Sequence, residues 1–349
     1  MSISGASRPA RTISVILPNR NHAHYLPRAL GALARQSRPA DEVIVIDDAS
    51  SDDSIAVVES WRERVPGLRL IALAEHRGVV GALNLGLAEA TGDLVYAAAA
   101  DDVARPGLFA TALAAFERHP EAGVFCAEAL VIDDEGTGRA IRPAAAPLQA
   151  AHLDPSGFRD WLRGSDNLCV GVACLARREP MLAEGGYDLA LGTYCDSFLV
   201  RRIALAHGVV FVPEVLGEWH RSMHGISRSL ARDADLTIAY IAEARRRIEA
   251  DHSGLYPDGY GDLFARRASF NAARLAWPDA GLTARLSGVA ETRLAAIGRL
   301  PVVGRQAAMA ALTLSLHPMS LPRLFLTRAM QRLRAMRDPS RLQVSGQTD

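Results

Sequence analysis

Over its first 130 residues the chain alternates short β-rich runs with segments of helical spacing, and that alternation restricts the fold more than any other feature. TISVILP (12–18), EVIVIDD (42–48), LRLIALA (68–74) and DLVYAAA (93–99) read as buried strands, because each is a short apolar run bounded by turn residues. Between them Leu26, Leu30 and Leu33, then Ile55, Val58 and Trp61, then Val79, Leu83 and Leu87 recur at helical intervals. A fourth helix entered at Pro106 carries Phe109, Leu113 and Phe116. Strand, helix, strand repeated in this way predicts βαβ units feeding a mostly parallel sheet with helices on both faces.

AGVFCAEALVID (122–133) continues the sheet into a turn at DDEGTG, and the Pro/Ala-rich residues 142–157 read as a mobile loop or crossing linker. LCVGVACLA (168–176) is a further strand candidate. The loop GGYDLALGTYCD leads into a helix with Leu199, Ile203 and Ala206 on one side, and VVFVPE and VLGEWH close the sheet near residue 220. From about residue 229 the pattern is helical and arginine-rich. The expected organisation is therefore an α/β domain over 1–228 and a helical appendage over 229–349. No repeat of 20–50 residues is visible.

At 349 residues with 49% hydrophobic content the chain can build a large core. Its net charge is zero, so no global field favours nucleic acid and an anionic partner must be held locally. All 39 basic residues are arginine, which excludes Schiff-base chemistry and a phosphate-binding P-loop lysine. Cys126, Cys169, Cys174 and Cys195 lack the paired spacing of a zinc site and read as small buried residues of a reducing compartment. The N-terminus has no apolar signal core, and AAMAALTLSL (307–316) is too short to span a bilayer, so a cytoplasmic location is expected. Gly298–Arg341 interleaves many arginines with apolar residues. Such a stretch either lies against the anionic inner face of a membrane or forms a solvated basic face of packed helices.

Open parallel sheets bind ligands beyond the carboxyl ends of their strands, and this chain puts polar residues at four such ends. They are Pro18 to Asn21, Asp47 and Asp48, Glu75 to Arg77, and Asp101 and Asp102. Asp48 would accept the imide N–H of uracil or thymine, a donor cytosine lacks; alternatively Asp47 or Asp48 caps the turn ASSDDS. Asp101 and Asp102 would hold Mg²⁺ or Mn²⁺ against a nucleotide diphosphate, whereas the plainer role caps the turn before Pro106. Asp196 would deprotonate an acceptor hydroxyl, and Thr193 and Asp196 also have capping-box spacing, so that the helix start would lower the carboxyl pKa. His224 would complete a metal shell or be a surface residue. RGVVGALNLG is not GxGxxG and follows the third strand, which argues against a dinucleotide site. GxSxG, HExxH and GxxxxGK[ST] are all missing.

Taken in order, SVILPNRN, VIVIDDASSDDS, HRGVVGALNLGLAEATGDLVYAAAADD, GGYDLALGTYCD and HGISRS resemble the motif series of family-2 glycosyltransferases with a GT-A fold. The resemblance covers roughly residues 12–228. It implies that Pro18, Asn19, Asn21, Asp48 and Arg77 line the nucleoside pocket, with Ala100 and Asp101 in the DxD segment and Asp101 its metal-binding acid. It likewise implies that Asp196 is the base of inverting transfer, and that His224 helps hold metal and diphosphate. The chain departs from the pattern where Ala99 replaces the first DxD acid, Cys195 the glutamate before the base, and His76 an asparagine.

The resemblance thus implies a metal-dependent inverting enzyme that moves a sugar from a UDP-sugar, or its dTDP analogue, to a hydroxyl of a glycan, glycolipid or protein. A binding module of the same shape is the alternative, given Ala99 and Cys195. A nucleotidyltransferase would need a glycine-rich basic loop where PNRNHAHYL has no glycine.

Overall fold

The computed structural model describes residues 12–133, 139–143, 146–166, 168–221, 233–275, 285 and 320–337. The four expected βαβ steps are present. β1 (Ile13–Asn19), β2 (Glu42–Asp47), β3 (Leu68–Ala72) and β4 (Leu94–Ala97) alternate with α1 (Leu26–Ala34), α2 (Ser54–Ser60) and α3 (Gly78–Glu89). After the two-residue β5 (Val103–Ala104), Pro106 and Gly107 make a turn, and α4 (Leu108–Arg118) starts two residues later than the proline suggested. Then come β6 (Val124–Asp133), β7 (Arg139–Arg142), β8 (Ala151–Leu153) and α5 (Pro155–Gly164). They are followed by β9 (Cys174–Arg177), α6 (Arg178–Ala183), α7 (Cys195–His207) and β10 (Val209–Arg221).

These strands form one sheet in the order β3-β2-β1-β4-β9-β6-β10-β5, with β7 on β6 and β8 on β10. The β1/β2, β2/β3, β1/β4 and β6/β10 pairs are parallel, and β9 runs antiparallel to both β4 and β6. Period-two alternation feeds both faces. Ile13, Val15, Leu17, Val43 and Val45 join one buried cluster with α1 and α4, while Ile16, Ile44 and Ile46 join the other with α3, α5 and α7.

Several local expectations shift. The 142–157 segment is not a plain loop, since 151–153 pairs with β10 and Asp154 caps α5 by accepting from the Gly157 N–H at 2.7 Å. Only the end of 168–176 is strand; Gly171–Ala173 is a 3₁₀ turn. Val79 and Ile55 point outward, so the α3 face is Val80, Leu83 and Leu87 and the α2 anchor is Val58. Ala206 is exposed, leaving Leu199 and Ile203 on the inner side of α7. The turn at 134–138 and the apolar run 307–316 lie outside the described residues.

In the C-terminal part, α8 (Ala234–Glu249) and α9 (Tyr260–Leu275) do not stand apart from the sheet. Ile241, Ala244, Ile248, Tyr260 and Phe264 belong to the same buried cluster as Phe198 and Leu199 of α7. The last described helix, α10 (Ser320–Arg337), reaches the sheet through Gln331, whose Nε2 donates to the buried Glu128 Oε1 at 3.2 Å. Among the described residues no helix is long and apolar enough to cross a membrane.

Candidate active site

The carboxyl ends of β1 and β2 build one cluster. Asn19 Nδ2 donates to Asp47 Oδ2 at 2.8 Å, and Asp47 Oδ1 accepts from the Ser50 N–H at 3.0 Å. Asp47 therefore makes the turn, which frees Asp48 for another task. Asp48 is buried; its Oδ1 accepts from the Arg77 N–H at 2.6 Å and its Oδ2 lies 2.7 Å from His76 Nδ1. Asn21 takes the left-handed conformation (φ 56°), and its Oδ1 accepts from the Ser51 N–H at 2.7 Å. Asn19 and Asn21 thus hold the loop's shape, and Asn19 Oδ1 is buried with no hydrogen-bond partner. Pro18 is half-buried in β1, and the Arg77 side chain is exposed where it precedes α3.

Beyond β4 the chain turns through Ala98 to Asp102 into β5. That turn is pinned: β5 pairs with β10 (Val103 with Glu218), Arg105 Nε donates to the buried Glu218 at 2.9 Å, and Gln36 Nε2 donates to the carbonyls of Ala104 and Arg105. Asp102 Oδ1 accepts from the His220 N–H of β10 at 3.0 Å, so Asp102 does not cap the Pro106 turn. Arg28 Nη2 donates to the Asp101 carbonyl at 2.5 Å, and its Nη1 sits 3.3 Å from His220 Nδ1. The Asp101 carboxylate is half-buried and has no hydrogen-bond or ion-pair partner among the described residues. Ala100 is buried. Burial, and then the adjacent Asp101 charge, push the Asp102 carboxyl well above the usual carboxylate range.

Asp196 lies in the first turn of α7. The expected capping box does not form: Tyr194 is the N-cap, without a side-chain bond, and Asp196 Oδ1 instead accepts from the adjoining Ser197 N–H at 2.5 Å. Asp196 lines a cavity of about 200 Å³ whose wall includes Val95 and Ala97 of β4, the strand that leads into the turn carrying Asp101. The residue is exposed overall, yet protein surrounds the carboxyl closely. Burial therefore raises its pKa, outweighing the helix-start and Arg201 contributions, and the expected lowering is not found.

Three participants had no sequence signal. Arg28 looks like any surface arginine of a helix, and His220 sits inside a β run. Arg201, buried on the cavity wall with its Cζ 5.3 Å from the Phe264 ring, has a buried Nη1 without a hydrogen-bond partner. Cys195, at the family's glutamate position, is buried in the core and does not line the cavity. The other cysteines, scattered in sequence, are neighbours in space: Cys126 and Cys174 are cross-strand partners, and Cys169 and Cys174 both line the cavity. His224 lies outside the described residues.

A mostly parallel, helix-covered sheet with carboxylates at successive strand ends is the architecture of GT-A glycosyltransferases, and solved structures agree. The mannosyltransferase PcManGT of Pyrobaculum calidifontis, in complex with GDP-Man and Mn²⁺, superposes with a TM-score of 0.54 at 23% identity, covering 95% of this chain and 90% of that one. Residues 1–349 of S. aureus TarS in complex with UDP-GlcNAc give 0.53 at 15% identity, over 88% and 91%.

Residues 14–182 match the family described as glycosyl transferase family 2, and this part of the chain is a glycosyltransferase domain of that family. A curated relative, the amylovoran biosynthesis glycosyltransferase AmsE of Erwinia amylovora, is 26% identical over 59% of this chain and 74% of its own length. The sequence match to full-length TarS spans only 30% of this chain and 19% of TarS.

Proposed function

We propose that the protein transfers a sugar, with inversion, from a UDP-sugar to a hydroxyl acceptor during assembly of a polysaccharide, glycolipid or glycoprotein. The observation that carries this reading is the Asp196 carboxylate, on a cavity walled by Val95 and Ala97 of β4, the strand that runs into the turn bearing Asp101 and Asp102. AmsE is named for amylovoran biosynthesis, and TarS and PcManGT were solved with nucleotide sugars; these names support the substrate class.

The donor set fits a hard divalent cation. Asp101 offers a carboxylate with no partner among the described residues, and Asp102 keeps one oxygen beyond its bond to His220. Asp101 and Asp102, with His224, would hold Mg²⁺ or Mn²⁺, which when bound neutralises the diphosphate leaving group. Asp48 and Arg77 line the nucleoside pocket in this reading, with Pro18, Asn19 and Asn21 shaping it. Each Asp48 oxygen retains a second lone pair after meeting Arg77 N–H and His76, enough to accept the uracil imide N–H. Asp196 takes the acceptor hydroxyl proton as that oxygen attacks the anomeric carbon, and UDP departs from the opposite face.

A donor screen that follows nucleotide release, with UDP-, dTDP- and GDP-sugars and Mn²⁺, tests the assignment; UDP-sugars are expected to turn over fastest. Asp196→Asn is expected to lower kcat by about 10²–10⁴-fold with UDP affinity unchanged. Because burial raises the Asp196 pKa and the base works deprotonated, the acidic limb of kcat/KM is expected above the ordinary aspartate range. A variant with normal kcat, or preference for a GDP-sugar, would overturn the corresponding part.

Peripheral contact with anionic membrane belongs to the same proposal. On α10, Leu326, Ala329, Leu333 and Met336 are exposed at helical spacing beside Arg332 and Arg337, a face suited to an anionic lipid surface. Flotation with anionic liposomes of the full chain and of a chain ending before residue 320 tests it; equal binding by both would remove the idea.

A further inference from the structure

We propose that His119, Glu121 and His152 form a binding site for one divalent transition-metal ion of the zinc class, far from the sugar-transfer rim. Nδ1 of His119 lies 3.6 Å, and Nδ1 of His152 3.3 Å, from the same oxygen, Glu121 Oε1. One ligand atom from each residue lies within 4.8 Å of the other two, and the imidazoles face each other with centroids 4.5 Å apart. The edge of a tetrahedron drawn by metal–ligand bonds of about 2.0–2.1 Å is about 3.3–3.4 Å, so the carboxylate already stands near coordination distance from both rings. The 3.6 Å separation is too long for a hydrogen bond between those groups.

Donor chemistry selects the ion. Two imidazoles with one carboxylate suit zinc, nickel or copper, whereas Mg²⁺ prefers oxygen throughout. Glu121 is more than half exposed, which leaves a fourth position for water.

The frame around the three side chains is rigid, so binding needs little reordering. His119 ends α4, its N–H donating to Ala115 at 2.9 Å. Arg177 fixes the next turn by donating to the carbonyls of Pro120 at 2.6 Å and Ala122 at 2.8 Å. His152 is placed by β8, paired with Val210 of β10. The site lies at the starting ends of β6 and β10, opposite the carboxyl ends that carry the donor-site acids. An ion there would clip the short strand β8, and with it the start of α5, to the α4–β6 turn.

The test uses the full-length protein freed of metal by a chelator, titrated with ZnCl₂ in a calorimeter and with Co²⁺ in the visible spectrum. The expected result is one equivalent bound at micromolar or tighter dissociation constant, four-coordinate Co²⁺ bands and a rise in Tm. Glu121→Gln and His152→Ala are each expected to weaken binding about tenfold or more. Glu121 is exposed, so Glu121→Gln decides the matter even if His152→Ala fails to fold. Asp101→Ala should leave the zinc equivalent intact. No binding, binding weaker than millimolar, binding unchanged in Glu121→Gln, or loss of the equivalent in Asp101→Ala would each overturn the site.

Discussion

Asp102 carries a charge that its surroundings oppose. Burial and the neighbouring Asp101 raise its folded pKa above the unfolded value, so the protonated form is favoured and its stabilising contribution is lost as pH rises through the folded pKa. At neutral pH the carboxylate is a cost. Asp102→Asn keeps an oxygen for the His220 N–H and removes the repulsion. It is expected to stabilise the metal-free protein, read as a higher denaturant midpoint, while reducing the stabilisation gained on adding Mn²⁺. Either a lower midpoint or an unchanged Mn²⁺ response would contradict this account. The residue types at the rim were legible because carboxylates rarely end a buried strand without purpose. Their partners were not: Asp48 meets Arg77 and His76 across the loop between β3 and α3, and Asp102 meets His220, a contact only the β5/β10 pairing creates.

Among the elements, α3 shows how closely a helix can seat on this sheet. A Cβ added at Gly86 would stand 2.2 Å from Cγ2 of Ile16 in β1. Gly86→Ala is therefore expected to cost about 1–3 kcal/mol despite alanine's better helix propensity, since the helix must lift from the strand. Urea denaturation measures it, and a neutral or stabilising result would show that the contact yields easily. The periods that mark β1 to β4 are local and were readable. The antiparallel insertion of β9 between β4 and β6 was not, because its four residues pair with strands distant in sequence. Val79 misled for a related reason: Val79 and Val80 both fit a helical stripe, and only the sheet decides which one is covered.

Across the whole molecule, α8 and α9 are part of the main core. Burying side chains such as Ile241, Ile248, Tyr260 and Phe264 contributes about 1.5–3 kcal/mol each, together comparable to a domain's net stability of about 5–15 kcal/mol. A chain ending at residue 232 is thus expected to aggregate or bind a hydrophobic dye, unlike the intact protein. A cooperative unfolding transition in that truncated chain would show that residues 12–221 suffice alone.

The sequence by itself determined the strand and helix alternation, the rim on which the acids fall and the family, because these depend on local periodicity and ordered motifs. Tertiary structure decided which acid is free, which makes a turn and which titrates high. Burial and partners from remote strands set those properties, and neither can be read from neighbours along the chain. It also decided that His119, Glu121 and His152 meet, since β8 reaches Glu121 only by pairing with β10.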